Sequence, residues 1–145
     1  METVRDVLAG KGKKVVTVSP DSTIFEALSI MKVESIGAVV VVDDTGDIAG
    51  VLSERDYARK VVLVGKSSKD TAVSEIMTTK VVVIRPDNTV EEAMALMSEK
   101  RCRHLPVLED GRLCGIISIG DVVRAVIQDK EILINQLEQY ISSSL

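Results

Sequence analysis

The sequence predicts an α/β fold of the mixed α+β kind. Two β-α-β-β-α units pack sheet to sheet about a pseudo-twofold axis, and a C-terminal helix follows. Three observations predict it. The stretch Gly50-Val51-Leu52-Ser53-Glu54-Arg55-Asp56 returns as Gly115-Ile116-Ile117-Ser118-Ile119-Gly120-Asp121, and a basic residue follows each copy at Arg59 and Arg124. A Pro-Asp turn and a Thr-x-x-Glu cap also recur, as Pro20, Thr23 and Glu26, then as Pro86, Thr89 and Glu92. Finally, the spacing is 66 residues from Pro20 to Pro86 but 65 from Gly50 to Gly115. The second hairpin turn, Glu109-Asp110-Gly111, is one residue shorter, and turn tips tolerate such changes.

The elements follow in order. Residues 3–9 read as a lead-in helix with Val4, Val7 and Leu8 on one face and Gly10 as its stop. Gly10-Lys11-Gly12-Lys13-Lys14 is a basic loop that lacks phosphate-loop spacing and precedes a strand instead of following one. Val15 to Val18 is a short strand, ended by Ser19-Pro20-Asp21. A helix from about Ser22 to Ser35 carries Ile24, Ala27, Leu28 and Met31 on its apolar face. Gly37 to Val42 and Ile48 to Leu52 form a hairpin about Asp43-Asp44-Thr45-Gly46. A second helix runs from Glu54 to about Val62, and Gly65 to Asp70 is a linker. The pattern then restarts: Val73 to Met77 echoes Val4 to Leu8, and Val81 to Ile84 echoes the first strand. The helix with Ala93, Met94 and Met97 echoes the one with Ala27, Leu28 and Met31. Asp129 to Ser142 is a helix with no counterpart in the first half. The organisation is therefore a first repeat over 1–66, a second over 67–128 and a C-terminal helix over 129–145. One unit of about fifty residues cannot bury both faces of its sheet, whereas two can.

Composition narrows the function. Hydrophobic residues make up 46% of the 145, enough for a core, while aromatics are only 2% and Trp is absent. Few platforms therefore exist for stacking bases, and a net charge of −4 disfavours nucleic acid as a partner. The longest apolar run is too short to span a bilayer. The first residues carry no secretory pattern, so the expectation is a cytoplasmic protein with reduced thiols. Cys102 and Cys114 align with Ile36 and Ala49 and read as small core residues. A lone histidine, His104, excludes a histidine-based metal cluster.

Two such units, each closing on Gly-aliphatic-aliphatic-Ser-x-x-Asp, resemble a tandem pair of CBS domains, or Bateman module. The likeness covers residues 3 to about 127. It includes Ile36-Gly37-Ala38-Val39, Arg103-His104-Leu105-Pro106-Val107 and the turn glycines Gly46 and Gly111. It extends to free-standing CBS pairs without an enzymatic domain. The resemblance implies clefts between the repeats for AMP, ADP or ATP, with NAD(H) or S-adenosylmethionine in some members. By the same resemblance, Asp56 and Asp121 clamp the two ribose hydroxyls, supported by Ser53 and Ser118. Arg55, Arg103 and His104, with the helix start at Gly120, face phosphate. Val16, Val82 and the backbone at Gly37 and Ala38 meet adenine. The chemistry is sound, because an ionised carboxylate has two oxygens spaced to accept a vicinal diol.

The same Ser-x-x-Asp spacing is an ordinary helix capping box, and capping and binding are compatible. The expected function is a regulatory nucleotide sensor, not an enzyme, that signals through shape or assembly and forms a homodimer. The sequence offers no glycine-rich loop after a strand and no nucleophile–base pair. The alternative is a protein-interaction module with degenerate clefts that regulates an as yet unidentified protein partner, such as a thioredoxin or an enzyme.

Overall fold

Five helices begin where a hydroxyl stands three residues ahead of an acid. The side-chain oxygens of Thr3, Thr23, Ser53, Thr89 and Ser118 accept the backbone N–H of Asp6, Glu26, Asp56, Glu92 and Asp121 at 3.1–3.3 Å. Each bond satisfies one of the donors that a first helical turn leaves without a partner. The computed structural model describes residues 2–12 and 15–144; Lys13 and Lys14 of the basic loop lie outside them. In chain order the elements are α1 (Val4–Lys11), β1 (Thr17–Val18), α2 (Ile24–Glu34), β2 (Ala38–Val42), β3 (Ile48–Ser53) and α3 (Glu54–Tyr57). The last continues as a π-helix over Ala58–Val62. Then come α4 (Val73–Ile76), α5 (Val90–Lys100), β4 (His104–Glu109), β5 (Arg112–Ser118) and α6 (Ile119–Ser144).

The chain forms two compact units, one of residues 14–82 and the other of residues 1–13 with 83–145. In the first, β1 pairs parallel with β2, and β2 pairs antiparallel with β3. Ile24, Ala27 and Met31 of α2 pack with Val39, Val41 and Leu52 of the sheet, and with Val73 and Ile76 of α4. The π-helix contributes Val61 to this core. In the second unit, β4 and β5 form a hairpin closed by Asp110 and Gly111, both with positive φ (52° and 76°). That is the two-residue turn whose twist matches the strands, and Asp-Gly is one of its preferred pairs. Val90, Ala93 and Met97 of α5, Leu105, Val107 and Ile117 of the hairpin, and Val4 of α1 are buried there.

Three expectations need correction. The first strand is shorter than Val15 to Val18, because only Thr17 and Val18 pair, with Val40 and Val41. Its echo at Val81 to Ile84 is not a strand: only Ile84 pairs, with Val107, through Ile84 N–H to the Pro106 carbonyl and Leu108 N–H to the Ile84 carbonyl. The counterpart of the Thr17–Val40 pair is Val83 with Pro106, and proline has no N–H to give a ladder. The C-terminal helix does not start at Asp129, since α6 runs unbroken for 26 residues from Ile119. After Gly120 it contains no glycine or proline to stop it.

The sequence repeats and the compact units are cut differently. Helix α1, which leads the first repeat, packs in the unit of the second, and α4 packs in the unit of the first. Val4 and Arg5 N–H groups donate to the carbonyls of Asn88 and Pro86, both at 2.9 Å. Val73 and Ser74 donate in the same way to Ser22 and Pro20, at 2.8 and 3.0 Å. The Pro-Asp turn of each repeat thus caps the lead-in helix of the other.

This docking requires glycine at one position, against backbone, and brings a flexible side chain close to a second glycine. A Cβ on Gly50 of β3 would lie 2.8 Å from both the Met77 sulfur and the Thr78 carbonyl oxygen. On Gly115 of β5 it would lie 2.7 Å from a Leu8 methyl. Gly50→Ala forces backbone to move and is expected to destabilise by about 1–3 kcal/mol. Gly10→Ala meets nothing within 4 Å and is expected to be neutral or to stabilise α1 by up to about 1 kcal/mol. Urea denaturation of both variants checks the pair, and equal midpoints would refute the steric account.

Candidate functional site

In each unit a hairpin runs straight into a helix, and the junction is the duplicated motif. Antiparallel register sets Ala38 opposite Ser53 and His104 opposite Ser118. The first helical N–H groups, of Glu54 and Ile119, donate to the Gly37 and Arg103 carbonyls at 3.0 and 2.8 Å. The strand entries at Gly37-Ala38 and Arg103-His104 therefore lie against the helix starts, as matched positions.

In the unit of residues 14–82, Asp56 Oδ2 accepts both the N–H and the hydroxyl of Ser53, each at 3.0 Å. Its Oδ1 lies 3.3 Å from the Lys60 ammonium one turn on, and 3.4 Å from the Thr78 hydroxyl. Lys60 also donates to the Ile76 carbonyl at 3.1 Å. Arg55 is exposed on the same first turn. Val16 is half-buried against this unit's core, and Val82 is half-buried at the unit's end.

The other unit repeats the backbone with different charges. Asp121 Oδ2 accepts Ser118 N–H and the Lys11 ammonium, both at 2.8 Å, while Oδ1 takes Arg124 at 2.8 Å. Lys11 also donates to the Ile116 carbonyl at 2.9 Å. The Asp121 side chain is only 7% exposed. Burial pushes its carboxyl upward, but the Lys11 bond, the Ser118 N–H, the Lys11 charge and the Ser118 hydroxyl together hold it below the ordinary carboxylate value. His104, half-buried nearby, is pushed down first by burial and then by the Lys11 charge, against an upward pull from Asp121. Burial and the Lys11 charge both favour the neutral imidazole. Gly120 is half-buried; a Cβ there would meet the Arg124 guanidinium only at an ordinary 3.5 Å. Arg103 is exposed.

The expected residues thus divide by unit: Ser53, Arg55, Asp56, Gly37, Ala38, Val16 and Val82 in one, Ser118, Gly120, Asp121, Arg103 and His104 in the other. Both motifs are reciprocal capping boxes. Four residues on the carboxylates were not assigned to the site from the sequence: Lys60, Thr78, Lys11 and Arg124, the last noted only as the basic residue after its motif. Lys60 and Arg124 stand four and three residues after their aspartates, a helical spacing from which both ion pairs could have been read. Nothing local points to Lys11, which comes from 110 residues away. Cys114 is exposed instead of core, and Cys102 is half-buried; burial raises both thiols, so neither is an activated thiolate. Among the described residues no His, Cys, Asp and Glu group could hold a metal ion, and no helix is long and apolar enough to cross a membrane.

Two matched hairpin-to-helix junctions, each carrying one capping aspartate, define a duplicated module. The CBS domain family model matches the chain twice, over residues 4–63 and 73–128. The chain belongs to the CBS-domain family, as a CBS pair, which is a regulatory module. It is 40% identical to the mitochondrial CBS domain-containing protein CBSX3 of Arabidopsis thaliana, over 96% of this chain and 71% of that protein. A crystal structure of the CBS domain NE2398 superposes with a TM-score of 0.82 at 46% identity, covering 87% of this chain and 98% of the other. A crystal structure of CBSX2 in complex with AMP superposes with a TM-score of 0.71 at 29% identity, covering 90% and 99%.

The lowered Asp121 carboxyl has a consequence in acid. A folded value below the unfolded one makes ionisation favour the native state. That contribution is complete above the ordinary carboxylate value near ~4 and is lost as pH falls through the lower folded value. Asp121→Asn is therefore expected to be less stable than wild type at pH 7, with the gap closing in acid. Urea melts across that range check it, and a gap independent of pH would contradict the ionised pairing.

Proposed function

We propose that the protein is a nucleotide-sensing regulatory module that binds adenosine ligands at its Ser-x-x-Asp junctions. The ribose diol is held by Asp56 or Asp121. The observation that carries this reading is the Asp121 carboxylate: nearly buried, held ionised, and flanked by Lys11 and Arg124. A diol can donate to the carboxylate oxygens while the flanking cations turn to phosphate. The AMP held by CBSX2, a similar fold, supports the ligand class. AMP, ADP and ATP fit this chemistry, as do NAD(H) and S-adenosylmethionine, which carry the same adenosine diol. Signalling follows from linkage, since a ligand shifts the population toward the arrangement it binds better by the difference in affinity. No catalytic step is assigned to the module.

One observation favours a second reading. Every carboxylate oxygen of Asp56 and Asp121 already has partners within the chain, which suits an interaction module whose junctions are purely structural. Titration calorimetry with AMP, ATP, NADH and S-adenosylmethionine separates the two. Asp121→Ala and Asp56→Ala are each expected to weaken binding at their own junction by about 1.5–3 kcal/mol, roughly tenfold to over a hundredfold. Glu92→Ala also removes a capping-box acid, but at the start of α5, and should keep wild-type affinity. Absence of binding by wild type to all four ligands would leave the interaction module.

A further inference from the structure

Lys11 holds an acceptor site that a ribose diol would have to take. A carboxylate offers about four such sites, two on each oxygen. Asp121 has three of them filled. Oδ2 takes Ser118 N–H and the Lys11 ammonium, both at 2.8 Å, and Oδ1 takes Arg124 at 2.8 Å. A diol that gives one hydroxyl to each oxygen finds room on Oδ1 and none on Oδ2.

One donor on Oδ2 must therefore yield, and the two are not equal. Ser118 N–H is backbone at the end of β5, and its bond is half of the capping box that starts α6. Withdrawing it would leave a part-buried N–H without a partner, which costs its full desolvation. Lys11 is the last residue of α1, and its side chain is 36% exposed. It stands between Gly10 and Gly12, where a Cβ on either would meet nothing within 4 Å. Its ammonium can swing into water by side-chain rotation alone.

That exchange is uneven in charge. Neutral hydroxyls would replace an ammonium on a carboxylate that is only 7% exposed, and a buried charge that loses a cation is destabilised. A ligand with its own anion gives the displaced ammonium a new partner, whereas a ligand without one does not. We propose that Lys11 is an internal competitor for the ribose position at Asp121, and that it makes this junction discriminate against adenosine ligands that carry no phosphate. The proposal rests on the nucleotide-binding reading and adds to it a residue of α1 that holds ligands off.

His104 is the one histidine of the chain and lies opposite Ser118 in the hairpin, so proton NMR of its ring follows binding at this junction. Adenosine and AMP are titrated separately into wild type, Lys11→Met and Arg5→Met. Methionine keeps the apolar stem of Lys11 and removes the charge. Lys11→Met is expected to bind adenosine about tenfold more tightly than wild type, the low end for a hydrogen bond to a charged group. Its preference for AMP over adenosine should narrow by at least that factor. Arg5→Met removes another cation of α1, one paired with Glu109, and should match wild type for both ligands. Because the Lys11 charge pushes His104 down, Lys11→Met should also raise the His104 pKa with no nucleotide added. A wild type whose His104 responds to neither compound overturns the nucleotide reading at this junction, and the competition with it. A wild type that binds AMP, with adenosine no tighter in Lys11→Met, overturns the competition alone and leaves Lys11 as an ordinary anion contact. An equal gain in Arg5→Met, or an unmoved His104 titration in Lys11→Met, overturns it as well.

Discussion

The two lead-in helices, α1 and α4, begin on carbonyls that belong to the other repeat, and much of the architecture depends on this. The N–H groups of a first helical turn have no partner within the helix. Here Pro86 and Asn88 supply the acceptors for α1, and Pro20 and Ser22 those for α4. Each Pro-Asp turn thereby does two things. It ends one segment of its own repeat and seats the helix that precedes its sequence copy. Once seated, α1 brings Leu8 onto Gly115, and α4 brings Met77 and Thr78 onto Gly50. The same seating delivers Lys11 to Asp121 and Thr78 to Asp56. Glycine on the last strand and a polar group on the carboxylate are thus consequences of one exchange.

Local rules made most elements legible. Hydroxyl–acid spacing located the starts of α2 and α5, and apolar periodicity gave the faces that bury Met31 and Met97. The Asp-Gly dipeptide marked the second hairpin, and the two Ser-x-x-Asp motifs marked the junctions that the structure builds as matched capping boxes. Legibility failed where a partner was distant or a donor missing. Val81 to Ile84 has the composition of its strand-forming counterpart, but Pro106 opposite it cannot donate, and proline's effect on a neighbouring strand is invisible in that strand's own residues. The exchange of α1 and α4 was equally hidden, because Val4 to Leu8 and Val73 to Met77 are too alike to reveal which copy seats which.

The two junctions illustrate how a duplicated backbone diverges. Asp56 has one lysine and one hydroxyl on Oδ1, and its side chain is 15% exposed. Asp121 has a lysine on one oxygen, an arginine on the other, and 7% exposure. The order is physically consistent, since a carboxylate can be taken further from water only as more charged donors replace its hydration. Arg124 is mostly exposed and Lys11 partly so, so neither is committed to Asp121 by packing, and exposed ion pairs hold weakly. The carboxylate is therefore the fixed member of the cluster, tied by Ser118 N–H to the strand end, and the cations are its movable members. Lys11 and Lys60 are each also anchored to a backbone carbonyl, of Ile116 and Ile76, but the second donor at Asp56 is an uncharged hydroxyl where Asp121 has Arg124. Each carboxylate thus has one lysine shared with a backbone carbonyl, and Asp121 has in addition the Arg124 charge, which can turn to an anion without disturbing the cap. Copies that are equal in backbone are in this way unequal in charge that can be redirected. Under the nucleotide-binding reading, that inequality makes the Asp121 junction the better suited to a ligand carrying phosphate.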